Sequence, residues 1–221
     1  MHPDAATDVK PAPPVVRLAT RDDCEAVVRT LVRAFDADPV ASFLLRGDAG
    51  RARAFRTVFD VAFRRWTLPV RGAWMTEGGG GAALWAPPGQ WKAWRAWPDV
   101  LALAGAVGAT RLPRVLPILQ RAGGKHPTAP HWYLFAVGVD PDHQGRGIGT
   151  SLLRPVLAQC DERGEAAYLE ASTEANARLY ARHGFRVTEV FDLAEGGPTV
   201  RLMWRDPIVT GMPPDRREHP S

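Results

Sequence analysis

The segment from Val137 to Leu153, VGVDPDHQGRGIGTSLL, constrains the fold of this chain more than any other. An apolar strand leads into a polar turn, and three alternating glycines precede an apolar helix. Glycine lacks a Cβ, so it can adopt a positive φ or let another group approach the backbone closely. Three glycines at a helix start leave several N–H groups pointing at one spot, where the helix dipole favours negative charge. The segment therefore predicts a phosphate or pyrophosphate site after a strand of an α/β sheet.

Two common nucleotide-binding motifs do not match this segment. The P-loop needs a Lys before its Ser or Thr, whereas Thr150 directly follows Gly149. The dinucleotide fingerprint needs Gly or Ala at its last position, which is Thr150 or Leu152 depending on the glycine that begins it. The pattern that fits is Gln144-x-x-Gly147-x-Gly149 after a strand.

The C-terminal half of the chain alternates strands and helices. The strand HWYLFAVGV precedes the glycines, a helix is predicted from about Gly147 to Arg163, and AAYLEAS is the next strand. A short helix, EANARLYARH, and two closing strands, FRVTEVFDL and TVRLMWR, complete the pattern. This order predicts an α/β sheet with a parallel crossover in its middle.

The N-terminal half adds strands and helices of its own. Thr20 and Asp23 follow the strand VVRLAT and form a box-like cap for a helix that stops before Pro39. A second helix is predicted over about residues 51–66, followed by a hairpin of RGAWMTE and GAALWAP. Residues 90–125 predict two or three helical pieces broken at prolines, namely Pro98, Pro113 and Pro117.

Length and composition favour one domain over residues 15–206. The chain has 221 residues, 45% of them hydrophobic, which is enough for one packed core. Residues 1–14 and 207–221 are proline-rich and polar, which predicts flexible tails. We expect a cytoplasmic protein with no membrane partner, since we find neither a secretory signal nor an apolar run long enough to cross a bilayer.

Charge and cysteine content exclude further classes of function. The net charge is +4, and the basic residues are scattered among acids rather than massed in a stripe, so we expect no nucleic-acid partner. The two cysteines, Cys24 and Cys160, are far apart, and the six histidines show no ligand spacing with cysteines or acids. We therefore expect reduced thiols and no metal site.

Four segments together resemble the GCN5-related N-acetyltransferases (GNAT), whose acyl-CoA motif is Gln/Arg-x-x-Gly-x-Gly/Ala after a strand. The segments are VRLATRDD, VGVDPDHQGRGIG, YLEAS and LYARHGFRVT, and their order and spacing are most similar to the puromycin N-acetyltransferases. The resemblance covers most of residues 15–206. It implies the GNAT fold, an α/β fold with a mixed, twisted central sheet that splays open at the acyl-CoA site and carries helices on both faces.

The same resemblance implies an activity. Acetyl-CoA would be the cosubstrate, and the acceptor a primary amine of a small molecule, such as puromycin or a related aminonucleoside, which suggests a role in antibiotic resistance. Peptide or protein acetylation and a non-catalytic CoA-binding sensor remain alternatives. The oligomeric state stays open.

The resemblance also implies which residues hold the donor. The backbones of Val137 and Val139 would bond the pantetheine arm, with Asn176 close to it, and Tyr180 would lie near the CoA sulfur. Residues 144–150, here called the glycine turn, would hold the pyrophosphate through their amides, with added charge from the arginine. The glycine turn consists of Gln144, Gly145, Arg146, Gly147, Ile148, Gly149 and Thr150.

Acetyl transfer to an amine needs a proton acceptor and a proton donor. Tyr180 lies four residues after Asn176 on a predicted helix, so both can address one ligand, and its hydroxyl can protonate the departing thiolate. Glu170 is the candidate base, because a charge inside an apolar strand is costly without a partner or a task. Strand alternation places it on the face of Tyr168 and Ser172. A structural salt bridge at Glu170, or His143 as the base, stays open.

The segment from Trp66 to Lys125 resembles the family least, so acceptor specificity is expected partly there. Its aromatic residues either pack on the sheet or line a pocket for a flat substrate. These residues are Trp85, Trp91, Trp94 and Trp97.

Overall fold

The computed structural model describes residues 14–90 and 97–208. Seven strands form one sheet: β1 (Val16–Leu18), β2 (Ala73–Thr76), β3 (Gly81–Ala86), β4 (His131–Val139), β5 (Ala166–Ala171), β6 (Arg186–Asp192) and β7 (Thr199–Arg205). Their order is β1-β2-β3-β4-β5-β7-β6. All neighbouring strands are antiparallel except β4 and β5, which are parallel. The predicted mixed sheet with one central parallel crossover is confirmed.

Within the described residues, seven α-helices flank this sheet: α1 (Cys24–Phe35), α2 (Pro39–Leu44), α3 (Arg51–Val61), α4 (Trp97–Val107), α5 (Leu112–Gly124), α6 (Ile148–Arg163) and α7 (Glu174–Ala181). A π-helical turn over Ala62–Thr67 extends α3. Short 3-10 turns over Arg21–Asp23 and Pro141–His143 precede α1 and the glycine turn. Helices cover both faces, as predicted.

Three apolar clusters fix the layers. The first joins α1 and α3 to one face of β2 and β3. The second joins α6 and α7 to the opposite face, through β3, β4 and β5. The third lies under α2 and α5, on the face that also carries Tyr133 and Tyr168. The α6–α7 face and the α2–α5 face are therefore separate environments on either side of β4 and β5.

Prolines begin helices here more often than they break them. Pro98 and Pro113 are the second residues of α4 and α5, and Pro39 begins α2, a short helix that the sequence pattern missed. A proline in the first turn costs the helix no hydrogen bond, because an N–H at that position would have no acceptor within the helix. Pro117 lies inside α5, so the predicted break there is wrong. The apolar face of α5, with Ile118 buried, keeps the helix intact.

The start of α1 follows the predicted cap. The Asp23 carboxylate accepts the Thr20 N–H at 2.7 Å and the Thr20 hydroxyl at 2.8 Å. Arg17 also donates to both oxygens of Asp23, which holds the pKa of that carboxyl well below its usual range. The cap therefore also ties β1 to α1, although β1 ends at Leu18 rather than at Thr20.

No single helix within residues 14–90 and 97–208 is long and apolar enough to span a membrane. Leu101–Val107 and Leu112–Gly124 pass that test only as a pair, and the pair is bent by 116°. The tails predicted at both ends fall largely outside the described ranges, as do Trp91 and Trp94.

A buried ion pair joins the end of β7 to α6 and to the segment after α7. Arg205 is 3% exposed and donates to both oxygens of Asp161 at 2.8 and 2.7 Å, and its Nε donates to the His183 carbonyl at 2.8 Å. This guanidinium lowers the pKa of Asp161. The stabilisation is thus present above the usual carboxyl pKa and is lost as the pH falls.

Replacing Arg205 by Met should lower the free energy of unfolding by about 2 kcal/mol at neutral pH, because the half-buried Asp161 carboxylate and the His183 carbonyl lose their hydrogen-bond donor. Urea unfolding measures this, and the loss should shrink below about pH 4. Arg186→Met is the matched control, since its pair with Asp206 is exposed at 60% and 65%. Equal losses in both variants would contradict the role given to Arg205.

Candidate active site

The central strands β4 and β5 pair over only four residues each. His131 to Leu134 pair with Ala166 to Leu169, whereas β4 continues against β3 as far as Val139. A bulge between β3 and β4 at this point alters the register. Beyond Leu134, no strand in the described part of the chain pairs with β4 on its β5 side. A gap therefore opens between the two strands, as the resemblance implied.

The backbone of β4 offers hydrogen-bonding groups to this gap. The Asp140 N–H donates to Gly80 O, at the β3 end, at 2.9 Å. Successive residues of a strand direct their N–H and C=O groups to alternate sides. Val137 and Val139 therefore direct theirs away from β3, and Val139 O accepts from Gln144 Nε2 at 3.2 Å. The resemblance predicts that the pantetheine arm bonds these backbone groups.

The glycine turn has the backbone that the sequence predicted. Gly145 and Gly147 both have φ of +76°, and a Cβ added at either would meet no described atom within 4 Å. The first N–H of α6 with an acceptor in the described residues is that of Ser151, which donates to Gly147 O at 3.0 Å. The Gln144 N–H donates to Pro141 O at 3.4 Å, whereas the N–H groups of Ile148, Gly149 and Thr150 have no acceptor among the described residues. Arg146 is exposed and donates to Asp142 O at 3.3 Å.

The remaining residues of the turn fix its position. Ile148 is buried, and a Cβ at Gly81 would lie 2.4 Å from its side chain, so α6 sits tightly on β3. Gly149 is helical, and a Cβ there would reach ordinary contact with α7 at 3.6 Å. The Thr150 hydroxyl lies 3.2 Å from His183 Nε2. The helix start is therefore held between β3 and α7.

His143 supports the turn from the other side. Its ring packs on Gly80, where an added Cβ would lie 2.9 Å from His143 Cγ. Its Nδ1 lies 3.9 Å from Asp140 Oδ1. These contacts support the interpretation that His143 shapes the turn.

Glu170 is the first residue of β5 after the paired segment. Its Oε2 accepts the Tyr133 hydroxyl at 2.8 Å, and its Oε1 accepts the Tyr168 hydroxyl at 3.1 Å. Burial and the Glu170 charge raise the pKa of both tyrosines, so they stay protonated as donors. The side chain of Glu170 is 32% exposed, and His126 Nδ1 lies 3.8 Å from Oε1. The carboxylate is held mainly by neutral hydroxyls and stays open to solvent.

Tyr180 lies on α7, within the α6–α7 cluster. Its ring is 7% exposed and packs edge-on against Phe185, with centroids 6.1 Å apart. Burial raises the pKa of Tyr180, and the Asp38 carboxylate adds to this shift. The hydroxyl therefore keeps its proton at neutral pH. Asn176 precedes it by one turn and is half-buried, and its N–H donates to the Thr173 hydroxyl.

Asp38 joins the two faces, and sequence reasoning missed it. The Ser172 hydroxyl donates to one of its oxygens, and the Ala41 N–H donates to the other at 2.8 Å. Ser172 lies two residues after Glu170, so Asp38 links the end of β5 to the start of α2, and its charge adds to the raised pKa of Tyr180. An Asp before Pro39 is a local signal for a helix start, which the sequence does show. The contact of Asp38 with Ser172, which lies 134 residues further along the chain, has no such local signal.

A family model described as the acetyltransferase (GNAT) family matches residues 75–185, which is half of the chain. This chain belongs to the GNAT acetyltransferase family. Acetyltransferases of this family use acetyl-CoA as the acetyl donor. The match includes β3, the opened strand β4, the glycine turn and α7, which together form the site described above.

Two curated relatives of this GNAT protein carry the names of different acetyltransferases. It is 37% identical over 86 residues to an N-alpha-acetyltransferase RimI of Mycobacterium tuberculosis, covering 38% of this chain and 46% of the relative. It is 36% identical over 61 residues to a mycothiol acetyltransferase of Propionibacterium freudenreichii, covering 26% and 20%. The chain thus spans less than half the length of these curated relatives.

A solved structure is similar over most of the chain. It is a histone acetyltransferase HPA2 and related acetyltransferase from Corynebacterium glutamicum, with a TM-score of 0.67 and 26% identity. The similarity covers 91% of this chain and 100% of that one. The arrangement of sheet and helices is therefore that of the GNAT fold.

The glycine turn fits the pyrophosphate of acetyl-CoA. Two glycines with positive φ leave space where side chains would stand, and the first three N–H groups of α6 have no acceptor among the described residues. Such a helix start favours phosphate groups. The turn residues, Val137, Val139 and Asn176 remain the residues of this GNAT chain that we expect to hold the donor.

Replacing Gly147 by Ala should raise the acetyl-CoA dissociation constant about tenfold or more, because the Cβ occupies the anion's space and disfavours the φ of +76°. Isothermal titration measures this constant. Gly196→Ala is the matched control, since Gly196 also has a positive φ and open space but lies in the β6–β7 turn. Equal weakening in both variants would contradict the assignment.

Trp85 does not line a pocket. It is fully buried in β3, within the α6–α7 cluster, so for this residue the packing alternative holds.

Proposed function

We propose that this GNAT enzyme acetylates a primary amine of a small molecule, with a puromycin-type aminonucleoside as the leading acceptor class. The observation that carries this proposal is the Glu170 carboxylate, held by two tyrosine hydroxyls where β4 and β5 separate. Such a carboxylate has no permanent positive charge bonded to it in the described residues. It therefore retains its attraction for an ammonium group.

Glu170 and Tyr180 divide the proton transfers. An ammonium must lose a proton before its nitrogen can attack, and Glu170 is the acceptor of that proton. Acetyl-CoA supplies an acyl group activated as a thioester, which the amine attacks directly. Tyr180 keeps its proton at neutral pH and donates it to the leaving sulfur. The acceptor enters from the α2–α5 face, and the donor lies along the α6–α7 face.

Aromatic side chains on the acceptor face support a flat acceptor. Trp66 packs edge-on against Phe135 with centroids 5.3 Å apart, and Tyr133 lies 6.4 Å from Phe135. Tyr133 and Tyr168 stack at 5.9 Å beside Glu170. Tyr133 and Tyr168 are buried, so they hold the carboxylate, and the rings that can meet a ligand are those of Trp66 and Phe135, which are partly exposed. Such rings favour aromatic ligands through offset or edge-on contacts, which supports an aromatic amine over an aliphatic one.

A second candidate is acetylation of the α-amine of a protein. The match to a relative named N-alpha-acetyltransferase favours it. The two candidates share the donor and the chemistry and differ in the acceptor alone. Antibiotic resistance would follow from the first candidate and not from the second.

An amine panel analysed by mass spectrometry separates the candidates. The full chain is mixed with acetyl-CoA and puromycin, 2-phenylethylamine or a short peptide with a free α-amine. The first candidate predicts acetylated puromycin or phenylethylamine at rates above those of the peptide. Acetylation of the peptide alone would favour the second candidate, and no acetylated amine at all would contradict both.

A further inference from the structure

The connection between α1 and α2 crosses the gap between β4 and β5. The end of α1 lies on β4, since a Cβ at Gly138 would come within 2.7 Å of Ala34 Cβ and 3.5 Å of the Phe35 ring. Three residues after α1 ends, Asp38 accepts the hydroxyl of Ser172, which directly follows β5. Because the connection begins on one strand and is bonded to the end of the other, Asp38 is held at the gap, beside the start of α2.

Neutral donors hold the carboxylate of Asp38. One oxygen accepts the Ala41 N–H at 2.8 Å, as an N-cap does, and the other accepts the Ser172 hydroxyl. No arginine, lysine or histidine lies within ion-pair distance of Asp38 in residues 14–90 and 97–208. The negative charge of Asp38 is therefore not balanced by a cation of the described chain.

The neighbouring carboxylates on either side of this bond are paired with arginines. Arg51 Nη2 lies 3.4 Å from Asp36 Oδ1, two residues before Asp38. Arg201 Nη2 lies 2.8 Å from Oε2 of Glu174, two residues after Ser172. Both arginines thus already have an acidic partner. Asp38 differs from its neighbours in keeping an unpaired charge at the gap.

The Tyr180 hydroxyl lacks a hydrogen-bond partner at the same place. Tyr180 is 7% exposed, and its hydroxyl bonds no group in the described part of the chain. Buried hydroxyls in folded proteins normally have a partner. The charge of Asp38 acts on this hydroxyl, since it adds to the raised pKa of Tyr180. A ligand held here would meet both an unpaired charge and a hydroxyl that has no other partner.

We propose that Asp38 binds the ammonium group of the acceptor and so makes the enzyme selective for amines that are cations at neutral pH. The carboxylate attracts the cation into the gap and holds its nitrogen on the side of β5, across from Tyr180. Proton transfer stays with the groups named in the proposed function, so Asp38 determines specificity and takes no proton. This inference rests on the proposed function, because that function places an amine in the gap.

Two acceptors of the same shape measure this selectivity. 2-Phenylethylamine is an ammonium ion at pH 7, whereas O-benzylhydroxylamine is neutral. Asp38→Asn should raise KM for 2-phenylethylamine about tenfold and leave its kcat little changed, because binding loses a charge-assisted hydrogen bond. KM for O-benzylhydroxylamine should stay the same. Asparagine caps a helix as well as aspartate does, so the start of α2 is retained.

Two further variants separate the charge of Asp38 from its place in the structure. Asp36→Asn removes a neighbouring charge that is 77% exposed and already paired with Arg51, so both KM values should match those of the wild type. Ser172→Ala removes the bond between Asp38 and the end of β5 but keeps the charge, so the preference for the cation should be retained. A Ser172→Ala variant that reproduces the Asp38→Asn result would assign the effect to this bond and overturn the proposal.

Equal changes with both acceptors in Asp38→Asn, or none with either, would show that Asp38 only supports the structure. That result overturns this proposal and leaves the proposed function standing. A wild type that acetylates neither compound would contradict the small-amine function and this proposal with it.

Discussion

Replacing Glu170 by Gln should lower kcat/KM for a primary amine about a hundredfold or more at pH 7. The amide has the shape of the carboxylate and can still accept from Tyr133 or Tyr168, but it cannot take a proton. Release of CoA, followed with a thiol reagent across a pH series, measures the effect. The loss should shrink as the pH rises above the pKa of the amine, because the acceptor then arrives already neutral.

Glu165→Gln is the matched control for this variant. Glu165 is also a carboxylate that accepts from an aromatic side chain, Trp132 Nε1 at 2.7 Å, but it precedes β5, at the other end of that strand. Its replacement should leave kcat/KM nearly unchanged. Full activity of Glu170→Gln would assign Glu170 to structure and require another base.

Tyr180→Phe should lower kcat more than tenfold and leave the dissociation constant of acetyl-CoA little changed. The substitution removes one hydroxyl and keeps the ring contact with Phe185. Because the pKa of Tyr180 is raised, its proton is present throughout the neutral range, so the loss should be similar between pH 6 and pH 9. Steady-state CoA release gives kcat, and isothermal titration gives the dissociation constant.

Two results would revise the role of Tyr180. Unaltered turnover would remove the hydroxyl from the reaction. A weaker dissociation constant with normal turnover at saturation would instead make Tyr180 a donor-binding residue.

The donor half of the site was readable from sequence because its signals are local. The predicted strand HWYLFAVGV coincides with β4, and the helix after the glycines begins within one residue of its predicted start. Gly145 and Gly147 adopt the positive φ that their spacing suggested. Each of these features is determined by neighbours within a few residues, so a motif can carry it.

The acceptor half depends on contacts between distant segments. Asp38 meets Ser172 across 134 residues, and Tyr133 meets Glu170 across 37. Neither pair has a spacing that a pattern could predict, because each forms only when separate elements pack on one face of the sheet.

The error at Pro117 has a different cause. Proline lowers local helix propensity, but burial of Val115 and Ile118 outweighs the loss of one hydrogen bond. Tertiary packing decided the outcome where propensity alone predicted a break.

The central claim is that donor and acceptor meet in the gap between β4 and β5. A crystal structure of the chain with acetyl-CoA tests it most directly. We predict the pyrophosphate on the amides of the glycine turn, the pantetheine along Val137 and Val139, and the thioester between Tyr180 and Glu170. Acetyl-CoA bound outside this gap, or a thioester out of reach of both side chains, would contradict the account.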